Sequence, residues 1–148
     1  MEETKKVQSQ DSSLKNCLKK SFSKSYNHQG LYWAITLLNR LAATYSAAES
    51  HEEAIDAWEL SLQYAPQQIG PYLELALNYL HVEEKEKAKN TIQKLLELWP
   101  SNVLALDGAA WIYTAMGELD LSSEVCDKLL EMEDSLPEPF EEDSEYIM

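Results

Sequence analysis

Apolar residues recur every three or four positions through most of the chain, which is the period of an α-helix with one buried face. One such stripe begins near Leu31 and predicts the start of a long helix. Two later helix-like runs are each followed closely by a proline, Pro66 or Pro100, and proline ends a helix because it lacks a backbone donor. The pattern therefore predicts an all-α protein of helices joined by short connections.

The two prolines lie 34 residues apart, and this spacing divides the chain into three ungapped units, 35–68, 69–102 and 103–136. Small residues occupy equivalent places in each unit, where two antiparallel helices must approach closely: Ala42, Ala76 and Ala110 in the first helices, and Ala54, Ala88 and Ser122 in the second. Larger residues also coincide: Leu38 with Tyr72 and Leu106, Tyr45 with Tyr79 and Tyr113, and Trp58 with Ile92 and Cys126. We expect the last set, Cys126 included, to be buried. A fixed period of this length is typical of helical repeat proteins.

Local signals divide each unit into two helices. Pro71 suits the first turn of a helix, where its missing N–H costs nothing. Ser50 with Glu53 forms a capping-box pattern that predicts the start of a second helix. Gly117 falls between the two helices of the third unit, where a left-handed residue ends a helix well.

The period of 34 and the small, aromatic and proline positions resemble the tetratricopeptide repeat (TPR) family over residues 35–136. The resemblance implies an α-α superhelix, a TPR-like solenoid of antiparallel helix pairs. We therefore assign 31–136 to a three-repeat TPR domain. The third unit departs most from the pattern, because Ala109 and Asp134 stand where the other units have leucine and proline.

The two ends of the chain differ from the repeats. Residues 1–30 form a basic segment in which the apolar positions of 12–25 share one helical face, which predicts an extra N-terminal helix packed on the first unit; these positions are Leu14, Cys17, Leu18 and Phe22. Residues 137–148 carry five acids and no base, and we expect them to be a disordered tail.

Charge narrows the range of partners. The net charge is −14, but residues 1–30 carry six lysines against three acids, so the remainder of the chain carries −17. A body this acidic repels phosphate backbones, which argues against nucleic acid and for neutral or basic protein partners. Two distant cysteines, no secretory h-region and no long apolar stretch predict a protein of the cytoplasm with no membrane span.

Residue patterns of enzymes are missing from the sequence. No glycine-rich phosphate loop can be built from the four glycines, and His51-Glu52-Glu53 lacks the second histidine of a zinc helix. We interpret His81 as part of a solvated turn. We therefore expect no catalysis, no cofactor and no metal.

Function is predicted on the concave face, which the resemblance implies is lined by the first helices. Five apolar residues there form a strip that we expect the core not to need, and such a patch favours a partner site: Leu73, Leu77, Leu80, Leu104 and Trp111. The polar candidates beside them are Arg40, Glu74, His81 and Asp107. The expected partner is an amphipathic helix or extended segment with apolar anchors and some basic residues. Two alternatives stay open: a terminal segment covers the strip, or Trp111 packs between helices.

Two hypotheses about function follow. The first is a scaffold, adaptor or complex subunit. The second is a co-chaperone or targeting receptor for an acidic peptide C-terminus, for which relatives use a carboxylate clamp of Lys, Asn and Arg. At the matching positions this chain has Asn39, Ala43, Glu74, Leu104 and Gly108, which disfavours the second hypothesis. The last helix, about 119–133, has no following repeat, so that its apolar edge could bind another copy of the chain or receive Leu136 and Phe140.

Overall fold

A computed structural model of the protein describes residues 28–133, and within them every regular element is a helix. The six helices are α1 (His28–Ala47), α2 (His51–Tyr64), α3 (Ile69–His81), α4 (Lys85–Leu98), α5 (Val103–Met116) and α6 (Leu119–Glu133). The all-α prediction is confirmed. α1 begins three residues before the predicted start at Leu31. The helix predicted in 12–25 and the acidic tail 137–148 lie outside the described residues.

The helices stack as pairs in an open array. Each helix packs on the next one along the chain, and the first helices of the pairs also touch their neighbours, α1 with α3 and α3 with α5. Within 28–133 the second helices α2, α4 and α6 do not touch one another, and α1 does not reach α5. The arrangement is therefore an α-α superhelix rather than a closed bundle, with the first helices on its inner side.

The small residues predicted at the helix crossings are all buried. Ala42, Ala54, Ala76 and Ala88 are fully inaccessible, and Ala110 and Ser122 keep 8% and 7% of their surface. Only a short side chain lets two helix backbones approach this closely, so the crossings fix the sequence at these six positions. One continuous apolar core joins the three pairs.

Cys126 contradicts the prediction of burial, because its side chain is exposed. The equivalent residues Trp58 and Ile92 keep 5% and 0% of their surface. The difference follows from position: α2 and α4 are each packed against the first helix of the next pair, α3 and α5. Within the described residues no such helix follows α6. Cys126 therefore occupies the repeat position of a core residue, but no helix among the described residues covers its side chain.

The same turn joins the two helices of every pair. Its last residue has a left-handed backbone with φ of 60° at Glu49, 62° at Glu83 and 78° at Gly117. The residue that follows each left-handed residue donates its backbone N–H to the carbonyl of an equivalent tyrosine. The N···O distances are 2.9 Å to Tyr45, Tyr79 and Tyr113. These are the bonds of a Schellman helix end. The prediction for Gly117 is confirmed, and two glutamates adopt the same conformation.

The other local predictions have mixed outcomes. Helices α2 and α4 end two residues before Pro66 and Pro100, and Pro71 lies in the first turn of α3 as predicted. The predicted start of α2 is confirmed, because Ser50 is its N-cap, but the capping box itself does not form, since the Ser50 side chain makes no capping hydrogen bond. Asn102 does cap a helix with its side chain, since its Oδ1 accepts a hydrogen bond from the Ala105 N–H at 3.1 Å.

Candidate partner-binding surface

The inner face of the superhelix is formed by the sides of the first helices that point away from the second helices. We define it by three sets of equivalent residues: Arg40, Glu74 and Gly108; Ala43, Leu77 and Trp111; Ala47, His81 and Ala115. Because these residues recur every 34 positions, they lie in the same orientation on α1, α3 and α5. A segment lying along this face would meet all three helices in turn.

A pocket opens on the inner face between α1 and α3 and encloses about 440 Å³. Its apolar wall is made by Ala43, Ala47 and Leu77, while Glu74 and His81 add polar groups. The short alanines of α1 leave the space that a longer side chain would fill. The remaining lining residues are Ser46, His51, Trp58 and Asn78. The volume is sufficient for one or two side chains of a partner.

A hydrogen-bonded network fixes the pocket's inner wall around Asn78, which is only 2% exposed. The Asn78 amide nitrogen donates to Ser46 Oγ at 2.9 Å and to the Glu74 carbonyl at 2.8 Å. The amide oxygen is then the acceptor for His51 Nδ1 at 2.9 Å. Trp58 Nε1 donates to the same Ser46 Oγ at 3.3 Å. Every polar atom of Asn78 is thereby paired, which holds α1, α2 and α3 in register.

His81 lies exposed beside the solvated turn in which we placed it, but it is a helical residue and its ring has a stacking partner. It is the last residue of α3, and its ring stacks on the His51 ring with centroids 4.3 Å apart and planes within 4°. Its side chain is nevertheless exposed, so one edge of the stacked pair faces the pocket. The two residues are 30 positions apart, and no helical period connects them. The sequence offered one signal for this contact: α2 begins with His51 and α3 ends with His81, so that both residues lie at the same side of the stack.

The five residues of the predicted apolar strip fall into two groups in the structure, three that pack on the core and two that are exposed. Leu73, Leu77 and Leu80 are partly buried and pack against the core, so the expectation that the core does not need them is wrong for these three. A Cβ on Gly108 would lie 2.6 Å from Leu73 Cδ1, which shows that Leu73 fills the space above this glycine. The other two apolar candidates, Leu104 and Trp111, are 61% and 62% exposed.

The polar candidates lie on different helices. Arg40 on α1 and Asp107 on α5 are exposed, whereas Glu74 on α3 is half-buried at the pocket. Of the nine predicted residues, the structure therefore brings Glu74, Leu77 and His81 into one pocket. Sequence reasoning missed the network residues of that pocket.

Asn39, the one clamp-like residue predicted from the sequence, already has partners inside the protein. Its amide nitrogen donates to Gln68 Oε1 at 2.8 Å, and its oxygen accepts a hydrogen bond from the Ser61 hydroxyl. Ser61 is fully buried, so breaking this bond would leave a polar group unpaired. Asn39 serves the contact between α1, α2 and the start of α3.

The side of α3 away from the pocket is acidic. The Tyr79 hydroxyl donates to a Glu59 carboxylate oxygen. Burial raises the pKa of Tyr79 well above its ordinary value, and the bond to Glu59 and the charges of Glu84 and Asp56 raise it further. Burial likewise raises the pKa of Tyr113, helped by the carboxylates of Glu118 and Glu124. Both phenols therefore stay protonated at any physiological pH.

Within residues 28–133, no three His, Cys, Asp or Glu side chains are grouped so that they could hold a metal ion. None of the six helices is both long and apolar enough to cross a membrane.

The fold and this surface together define an all-α superhelix of TPR-like helix pairs. Comparison with protein-family models gave no match, and neither did comparison with curated proteins. Solved structures of MamA, a TPR-like helical protein, are similar to the chain. A crystal structure of MamA aligns with a TM-score of 0.55 and 21% identity, over 72% of this chain and 67% of that one. A MamA mutant gives 0.53 and 15% over 74% and 64%, and AMB-1 MamA gives 0.54 and 16% over 81% and 62%.

At these identities the likeness concerns the fold alone. The chain matches about two thirds, or slightly less, of the length of each MamA chain. What this chain binds has to be argued from its own residues.

Proposed function

We propose that this chain is a protein–protein interaction scaffold or complex subunit, built of three TPR-type units, which binds a segment of a partner protein along the inner face. The observation that carries the proposal is the 62% exposure of Trp111 at the position equivalent to the pocket residues Leu77 and Ala43. Tryptophan is the residue most enriched at binding hot spots, and an open one on a shaped face suits a partner site.

The chemistry of the inner face describes the partner. The pocket wall of Ala43, Ala47 and Leu77 suits an apolar anchor side chain, and Trp111 and Leu104 offer a second apolar contact one helix further on. Glu74 and Asp107 favour a lysine or arginine beside those anchors. An amphipathic helix or an extended segment with apolar and basic residues meets these requirements.

Further parts of the proposal concern what the protein does not do and where it works. We infer no catalytic role, since the one hydroxyl that lines the pocket, that of Ser46, already donates to the Ala42 carbonyl and accepts hydrogen bonds from Asn78 and Trp58. We infer a reducing compartment, the cytoplasm, because the free thiol of Cys126 is exposed on the surface.

The experiment is affinity capture with the full chain as bait. Trp111→Ala and Leu77→Glu should each lose the captured partner, since removal of a hot-spot side chain costs about 2 kcal/mol or more, roughly a thirtyfold loss of affinity. Leu98→Ala is the matched control, because Leu98 is an apolar side chain that is 47% exposed on α4, in the outer layer. Far-UV circular dichroism should show the helical signal of the wild type in the Trp111→Ala variant. Equal capture by Trp111→Ala and wild type would contradict the proposal.

The alternative, a receptor for an acidic peptide C-terminus, has less support. Asn39 is already bonded to Gln68 and Ser61, and Glu74 would repel a terminal carboxylate. Titration of the full chain with a peptide ending in Glu-Glu-Val-Asp separates the two hypotheses. Clear micromolar binding of that peptide would favour the receptor.

A further inference from the structure

A second pocket, which we call the outer pocket, opens in the gap between α2 and α4. These two helices do not touch each other, and both pack on α3, so α3 forms the bottom of the gap. The pocket encloses about 320 Å³, and its floor contains the buried side chains of Tyr72 and Leu75. The other lining residues are Glu59, Leu62, Gln63, Pro66, Thr91 and Lys94. None of these residues lines the pocket of the inner face, so the outer pocket is a separate feature.

A buried hydroxyl at the floor of the outer pocket is unpaired within the described part of the chain. Tyr72 is 4% exposed, and no group of residues 28–133 forms a hydrogen bond with its hydroxyl. Burial also raises the pKa of Tyr72, so the hydroxyl keeps its proton and can donate it. A buried tyrosine hydroxyl usually has a partner, because an unpaired polar group costs free energy. On the same helix, Tyr79 shows the usual case, since its hydroxyl donates to Glu59.

The repeat does not require a hydroxyl at the position of Tyr72. The equivalent residues are Leu38 and Leu106, which keep 0% and 1% of their surface. At the corresponding gap, between α4 and α6, the position of Thr91 is taken by Val125, which is also buried. Because leucine and valine fill these places without polar groups, helix packing does not account for the two hydroxyls of the outer pocket.

Hydrogen-bond donors and acceptors both line the outer pocket. Besides Tyr72, Lys94 can donate, because its exposed ammonium group forms no ion pair among the residues that the structure describes. Thr91 donates its proton to the Lys87 carbonyl at 2.7 Å, so its oxygen is left as an acceptor. Glu59 accepts several hydrogen bonds as a carboxylate and repels another anion. This mixture suits an amide, which has one acceptor and one donor, better than a carboxylate.

We propose that the outer pocket binds one peptide group of a partner chain together with an apolar side chain, and that the peptide carbonyl accepts hydrogen bonds from Tyr72 and Lys94. Leu62, Pro66 and Leu75 provide the apolar contact for that side chain. The volume is at the lower end of the range for ligand sites, about 300–1,000 Å³, which suits a single residue of the partner. The outer pocket shares no residue with the pocket of the inner face, so the proposal does not depend on the proposed function.

The first experiment is a titration of the full chain with N-acetyl-leucine methylamide, a leucine residue with a peptide group on each side, followed by heteronuclear NMR. The signals of Leu62 and Leu75 should shift and saturate. Tyr72→Phe should weaken binding about threefold to tenfold, the effect of one hydrogen bond. Lys94→Met should also weaken it, whereas Lys128→Met, the equivalent change on α6, is the matched control and should have no effect. N-acetyl-leucine, which carries a free carboxylate, should bind more weakly than the methylamide because of Glu59.

The second experiment measures the hydroxyl without any ligand, by thermal unfolding of the full chain. Tyr72→Phe should keep or raise the Tm of the wild type, because it removes an unpaired polar group from a buried position. Tyr79→Phe is the matched comparison and should lower the Tm, because that hydroxyl loses its bond to Glu59.

Three results would overturn the proposal. One is a Tm loss in Tyr72→Phe as large as that in Tyr79→Phe, which would mean that water or the chain itself already pairs the hydroxyl. Another is equal affinity of the wild type and Tyr72→Phe for the methylamide. The third is the absence of a saturable shift at Leu62 and Leu75.

Discussion

The left-handed turn residues give the sharpest test of the repeat geometry. Glu49, Glu83 and Gly117 occupy equivalent positions with φ of 60°, 62° and 78°. A residue with a Cβ pays roughly 1–2 kcal/mol for this conformation, and glycine does not. Glycine is also more flexible in the unfolded chain, which costs about 0.5–1 kcal/mol on folding. Glu83→Gly should therefore stabilise the protein by about 0.5–1 kcal/mol, the balance of the two effects.

The sign of this effect distinguishes the turn from a helix. Inside a helix, a change to glycine would destabilise by about 1 kcal/mol relative to alanine. At Glu83 the order reverses, so the glycine variant should be more stable than both the wild type and Glu83→Ala. The alanine variant removes the charge beside Glu84 but keeps the Cβ, and it therefore isolates the backbone effect. Gly117→Ala should show the opposite change, a loss of about 1 kcal/mol.

The assay is urea unfolding followed by far-UV circular dichroism, supported by thermal melts. A gain of this size corresponds to a rise of about 2–8 °C in Tm for a domain of this length. If Glu83→Gly were no more stable than Glu83→Ala, the left-handed turn would be absent in solution. The assignment of equivalent turns to the three pairs would then fail.

Two further predictions concern the polar groups of α3. Asn78→Ala removes the partner of His51 Nδ1 and one of the two donors to Ser46 Oγ, so it should destabilise the protein by about 1–3 kcal/mol in urea unfolding, whereas Asn90→Ala on the exposed side of α4 should have little effect. Because the pKa of Tyr79 is raised above 10.0 on folding, its contribution to stability is complete below that pH and is lost as pH rises above it. Unfolding midpoints should fall above about pH 10, less steeply in Tyr79→Phe; equal slopes would contradict this.

The layout of the helices was predictable because close packing constrains residue size. Where two helices cross, only Ala42, Ala76 and their equivalents fit, and this requirement repeats every 34 residues whatever the rest of the sequence does. The same periodicity could not predict which side chains are covered. Cys126 is in register with Ile92 but has no helix over it among residues 28–133, and Leu73 is covered because Gly108 leaves room for it.

The polar details of the candidate site could not be predicted for a different reason. Asn78 pairs with Ser46 and His51, which are 32 and 27 residues away, and these distances match no helical or repeat period. The equivalents of Asn78 are Thr44 and Ile112, so the network exists in one unit only. Glutamate is also an unusual residue for a left-handed turn, and the sequence signalled that conformation at Gly117 but not at Glu49 or Glu83.

The inner face differs from the outer layer in the kind of surface it offers. The second helix of the first pair, α2, carries four acids, and the charges of two of them, Glu59 and Asp56, act on Tyr79. The first helices offer a pocket with alanine walls and an open tryptophan.

The central claim is that a partner segment binds along the first helices. It is tested most directly by hydrogen–deuterium exchange of the full chain, alone and with a synthetic peptide of the segment that affinity capture identifies. We expect slower exchange in α1, α3 and α5 around Ala43, Leu77 and Trp111, with the outer helices unchanged. Protection confined to α2, α4 or α6 would contradict the account.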